Sequence, residues 1–126
     1  MRLIPIMEGT KFSILAIDKS DDASVKDCPA EEFIMQMSDS SKKSLTAILN
    51  RHKEHGPILN EQKSRLLWQD IFEFKTRQGD RIYYFYDSGR LTILTHGSVR
   101  PQGRQLSGEV SRAVRLKDLY FDSKGV

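Results

Sequence analysis

The hydrophobic period of the chain changes twice along its length. Residues 2–18 read as extended, and Lys11-Phe12-Ser13-Ile14-Leu15-Ala16-Ile17 is a near-continuous apolar run, the pattern of a strand covered on both faces. Glu8-Gly9-Thr10 supplies a turn that can bring an earlier short strand back onto it. Residues 18–27 are polar and predict a loop. The period then lengthens to that of a helix. Pro29 suits a first helical position, Glu31 and Glu32 suit the positive end of the helix dipole, and Phe33, Ile34 and Met37 form an apolar stripe. Ser38-Asp39-Ser40 caps a second helix from about Ser41 to His55. Its Leu45, Ile48, Leu49 and His52 recur at helical spacing, and Gly56-Pro57 stops it.

From Ile71 onward the period is two. Phe72 and Phe74 fall on one face of a strand, with Glu73 and Lys75 on the other. Gln78-Gly79-Asp80 turns the chain into the aromatic-rich strand 81–86, and Asp87-Ser88-Gly89 turns it again into a strand over 91–96. These three strands are expected to pair in sequence order. Gly97, Pro101 and Gly103 break the regularity. A last helix is predicted from near Ser107 to about Tyr120, with Val110, Ala113, Val114 and Leu116 inward. The order strand, two helices, three hairpin-linked strands, helix belongs to the α+β class. A length of 126 residues holds one domain, 1–126.

Composition narrows the class further. Cys28 is the one cysteine, so neither an internal disulfide nor a cysteine-rich zinc site is available, which suits a reducing cytoplasm. The apolar opening is short, is interrupted by Pro5, and gives way at once to Glu8 and Lys11, so no targeting signal is expected. No run approaches the roughly 18 apolar residues of a membrane span. The net charge of +3 conceals an asymmetry. Residues 1–40 balance to −4, whereas residues 75–117 balance to +6, and seven of the nine basic side chains there are arginine. Arginine suits bidentate phosphate contacts, so this half reads either as a solvated basic surface or as the footprint of a polyanion. A membrane surface fits less well, because no basic amphipathic helix with bulky exposed apolar residues stands out.

Several short stretches, in this order and spacing, carry a resemblance: His55-Gly56-Pro57, Leu67-Trp68, Phe72-Glu73-Phe74-Lys75, Gly79-Asp80-Arg81-Ile82-Tyr83-Tyr84-Phe85, and Leu94-Thr95-His96-Gly97-Ser98-Val99-Arg100. Over about residues 28–120 the chain resembles the phage-derived, HigB-like branch of the RelE/ParE toxin superfamily. The resemblance implies an antiparallel twisted sheet with an N-terminal helical hairpin on one side and a C-terminal helix. It also implies a ribosome-dependent endoribonuclease that cuts messenger RNA, without cofactor, and a cognate antitoxin that is often a helix-turn-helix protein. The chain departs from that pattern at Lys75, where arginine is usual, and at Arg100-Pro101, where a lysine pair is usual. The rival expectation is a non-catalytic module of the same fold that binds nucleic acid or a partner protein.

RNA cleavage needs no metal when the substrate's 2′-hydroxyl attacks the adjacent phosphorus. Fixed cations stabilise the extra phosphate charge, and a positioned acid or base moves the protons. Arg81, opening its strand, is the expected phosphate clamp. His96, ending the third strand before Gly97, is a candidate general acid or base. Lys75 and Arg100 complete the expected catalytic set. Tyr83 and Phe85 offer faces for base stacking, and Arg77 and Arg104 add phosphate contacts. Each has a plainer alternative: a snorkelling strand-end arginine, a structural histidine, an exposed lysine, a core aromatic. Glu73 is read as an ion-pair partner. His52 and His55, three apart, lack a third ligand nearby and read as structural. Trp68, Met35 and Met37 read as packing residues.

Overall fold

The computed structural model describes residues 1–57, 63–101 and 103–124. Six strands form one sheet. Strand β1 (Arg2–Met7) and β2 (Ser13–Asp18) come first. Helices α1 (Pro29–Gln36) and α2 (Asp39–His55) follow. Strands β3 (Ser64–Trp68), β4 (Ile71–Lys75), β5 (Asp80–Asp87) and β6 (Leu91–Val99) lead into helix α3 (Arg104–Ser123). The spatial order is β1-β2-β6-β5-β4-β3.

This corrects the expected architecture. The sheet is mixed, because β2 pairs in parallel with β6, and the chain opens on a pair of strands instead of a helical hairpin. The reason lies in the connection. Between β2 and β6 the chain passes through both helices and three strands, long enough to return in the same direction. The Glu8-Gly9-Thr10 step does reverse β1 onto β2. The strands over 71–75, 80–87 and 91–99 pair antiparallel in sequence order, as the alternation predicts.

Helices cover both faces of the sheet. On one side, α1 adds Ala30 and α2 packs Leu45, Ile48 and Leu49 onto Ile14, Phe74, Ile82, Tyr84 and Leu94. On the other, α3 lays Val110, Ala113, Leu116 and Tyr120 over Ile17, Ile71, Tyr83, Phe85 and Ile93. Burial on both faces explains the unbroken Ile82-Tyr83-Tyr84-Phe85 run in β5. Ser38 caps α2 by accepting a hydrogen bond from the Ser41 amide at 3.1 Å. Gly56, at φ 82°, ends it, with its amide donating to the His52 carbonyl at 2.9 Å.

His52 is enclosed between the helices and the sheet. Its ring stacks on Phe12 at 4.9 Å, and Nε2 lies 2.8 Å from the Thr92 hydroxyl, which makes it a packing residue. Two packing expectations are corrected: Trp68 stands 58% exposed on the edge strand, and Met35 is 68% exposed on α1, whereas Met37 is buried.

Candidate nucleic-acid interface

The turn from β4 to β5 is held by hydrogen bonds from several sides. The Thr76 hydroxyl accepts from the Asp80 amide at 3.0 Å, and the Gly79 amide donates to the Thr76 carbonyl at 3.0 Å. Three serines on the first turns of α2 hold the loop from one side. Ser41 donates to the Asp80 carboxylate at 2.6 Å, Ser44 accepts from the Arg77 amide at 3.1 Å, and Ser40 accepts from the Gln78 side chain. Arg100 closes the other side: its Nε donates to the Gln78 carbonyl at 2.6 Å. Gly79 sits at φ 97° directly under the Arg100 side chain, where a Cβ would collide with it.

Two clefts flank this turn. One, of about 500 Å³, is lined by Lys75, Arg77, Arg81 and Arg100 together with Thr76, Gly79 and Pro101. Lys75 and Arg81 are direct partners across the β4–β5 ladder, so both point to the same face. The second, of about 740 Å³, shares Lys75 and Arg77 and runs along α2, where Lys43 and Arg51 join Lys63 from the segment before β3. The shared residues make one basic track of seven cationic side chains. Among the described residues, no carboxylate lines either cleft. Like charges brought together repel one another and favour a bound polyanion.

Four of the eight residues expected from sequence therefore meet in one place: Arg81, Lys75, Arg100 and Arg77. The other four do not line the clefts. Tyr83 and Phe85 are buried beneath α3, the former donating or accepting with Ser98 at 2.8 Å, the latter packed on Tyr120 at 5.5 Å, so neither presents a face for stacking. Arg104 is exposed at the start of α3. His96 is 1% exposed, stacked on Tyr83 at 4.8 Å. Its Nε2 lies 2.8 Å from Glu109 on α3, and its Nδ1 lies 3.1 Å from the Thr95 hydroxyl. The carboxylate at that distance favours a charged ring, but burial, followed by the field of Arg112 and Arg115, outweighs it and brings the pKa down to about 3. The neutral ring is then an Nε2–H donor to Glu109. On the opposite face of the sheet, Phe33 of α1 presses against Gly97, where a Cβ would collide with it.

Lys43, Arg51 and Lys63 do not stand out in the sequence. Their signal is present: Lys43, Ala47 and Arg51 recur every fourth residue on α2 and share one face, although a solvated helix face has the same pattern. Behind the clefts, the fully buried Glu73 carboxylate lies between Arg65, whose Nε donates at 2.9 Å, and Arg81, whose Nε is 3.3 Å away. Among the described residues no group of three or more histidine, cysteine or acidic side chains could hold a metal, and no helix is long and apolar enough to cross a membrane.

The family model described as "Phage derived protein Gp49-like (DUF891)" matches residues 32–115. That interval contains α2, both clefts and most of α3. No curated protein matches the chain.

Proposed function

The chain belongs to the phage-derived Gp49-like family, a toxin–antitoxin-related family, and we propose that it is the toxin of such a pair, an endoribonuclease that cleaves messenger RNA on the ribosome. The single observation behind this reading is the track of seven cationic side chains, with Arg81 and Lys75 facing one another at its centre. In this reading Arg81 and Arg100 hold the scissile phosphate and stabilise the charge that grows on it as the 2′-hydroxyl attacks. The 2′-oxygen displaces the 5′-oxygen and leaves a 2′,3′-cyclic phosphate; Lys75, at the end of β4, assists removal of the 2′-hydroxyl proton, and water protonates the departing 5′-oxygen. The arm along α2, with Lys43, Arg51 and Lys63, carries the flanking phosphates. Among the described residues no aromatic face lines the track, so in this reading the ribosome rather than base stacking supplies the register of the message. The partner that restrains it is a cognate antitoxin of helix-turn-helix type, and the site of action is cytoplasmic.

One observation favours a second reading, a non-catalytic binding module: among the described residues, the lining of both clefts contains no histidine, aspartate or glutamate to move protons. A translation extract separates the two. The ribonuclease reading expects cleaved ribosome-bound message with the wild type and intact message with folded Arg81→Ala. Binding without cleavage by the wild type would establish the binding module instead.

A further inference from the structure

Glu73 is buried at 0% exposure on β4, on the sheet face that α3 covers. A carboxylate in such a place requires a paired charge, and one guanidinium would suffice. Two are present. Arg65, its direct partner across the β3–β4 ladder, donates from Nε at 2.9 Å. Arg81, from β5 on the other side, brings its Nε to 3.3 Å of the second oxygen, close enough for an ion pair but without the alignment of a hydrogen bond. The Nη1 of Arg81 donates instead to the Gly79 carbonyl at 2.9 Å. The guanidinium is thus steadied from two sides, and Arg81 lines the cleft.

The charge count matters as much as the geometry. Paired with Glu73 alone, Arg81 would be locally neutral and would attract a phosphate weakly. With Arg65 on the same carboxylate, the three groups carry a net single positive charge. Arg65 does this from outside the cleft: it lines the opposite, largely apolar groove beside Leu66, Leu67 and Trp68. We propose that Arg65 and Glu73 are positioning residues that together hold the Arg81 guanidinium toward the cleft and keep its positive charge available to a bound phosphate. Arg65 neutralises Glu73, and Glu73 orients Arg81. This rests on the reading of the cleft as a phosphate site, but not on cleavage.

The test is a titration of inorganic phosphate into nitrogen-labelled protein, followed at the Arg81 Nε–Hε resonance, beside cleavage of ribosome-bound message. Removing Arg65's charge leaves Arg81 shared with an unneutralised carboxylate. Arg65→Gln is therefore expected to weaken phosphate by about fivefold, the scale of one partly exposed charge. Glu73→Gln is expected to strengthen phosphate binding by a similar factor while slowing cleavage at saturating message, because the guanidinium has lost its anchor. The double variant restores the charge count and returns phosphate affinity toward wild type. Arg65→Lys keeps the charge and is expected to keep the affinity, which guards against a variant that merely folds poorly. A purely structural staple predicts loss of stability in the single variants with no opposition of sign. Phosphate affinities that move in the same direction in Arg65→Gln and Glu73→Gln, or a wild-type Arg81 resonance that ignores phosphate, would overturn the proposal. Phosphate affinities in the expected order without any cleavage would remove the ribonuclease reading and leave this one standing.

Discussion

Arg81 and His96 lie on the same sheet face and yet have opposite surroundings. Arg81 keeps donors at the edge of a cleft, whereas His96 is closed in by Tyr83 and Glu109. Arg81→Ala is expected to abolish cleavage and weaken RNA binding while changing urea stability by less than about 1 kcal/mol beyond the loss of its ion pair, as for a partly exposed site. His96→Ala should do the reverse. It opens a cavity under α3 and leaves the Thr95 hydroxyl without its ring partner, costing about 2–4 kcal/mol. Activity per folded molecule should survive, and equal cleavage loss at unchanged stability would contradict the assignment. The sequence alone makes His96 look available because strand parity sets it beside Arg81 and Tyr83. Parity reaches that face by a route the sequence does not display: Thr95 and His96 together oppose Tyr83, and this bulge shifts the alternation by one residue. What parity cannot tell is whether the face is open. The period of α3 identifies Val110, Ala113 and Leu116 as inward without saying which side of the sheet they cover.

At the level of elements, α2 has two jobs, and only one is legible in the sequence. Its apolar stripe and its cap predict the helix well. Its basic stripe becomes meaningful only when the β4–β5 turn is pinned to Ser40, Ser41 and Ser44, so that Lys43 and Arg51 continue the line from Lys75 and Arg77. Strand β3 escapes sequence reading for a related reason. Its hairpin turn places Gln69 and Asp70 at φ 48° and 62°, a turn usually signalled by Asn-Gly or Asp-Gly, and its bulge between Leu66 and Trp68 erases the alternation. The mixed sheet is invisible too, since β2 and β6 pair across the whole helical and hairpin region that separates them in sequence. A consequence for α2 can be measured. If it carries flanking phosphates, Arg51→Ala should lower the slope of log affinity against log salt by about 0.7, the value for one contact to a single strand. Lys43→Ala should act alike, and the two together should add. Thr46→Ala, at an exposed position of α2 outside the clefts, should leave the slope alone. An unchanged slope in the double variant would confine RNA to the cleft around Arg81.

Each face of the sheet encloses one histidine that the fold keeps neutral, and this sets how the whole molecule responds to acid. His52 sits on the α1–α2 side, where burial lowers its pKa to about 4; its Nδ1 has no hydrogen-bond partner among the described residues. His96 sits on the α3 side, lowered to about 3 by burial and then by Arg112 and Arg115. Both folded values lie below the ordinary 6.5, so between about pH 6.5 and 4 the unfolded chain binds protons that the folded chain refuses. The stabilisation is complete above about 6.5 and is lost as pH falls. With two such groups the unfolding free energy should fall by up to about 2.7 kcal/mol per pH unit, and by roughly 4 kcal/mol between pH 8 and pH 5. Against a typical total of about 5–15 kcal/mol, that brings a small domain close to unfolding in mild acid. Urea denaturation at pH 8, 6 and 5 measures the slope directly. His52→Gln and His96→Gln should each remove about one proton of it, whatever they cost at pH 8, because each deletes one titrating ring. Carboxylates held low, such as Glu54 at about 2, act only in stronger acid and do not blur this window. Stability that stays level from pH 8 to 5 would show that the two rings titrate freely and that neither face of the sheet is closed as described.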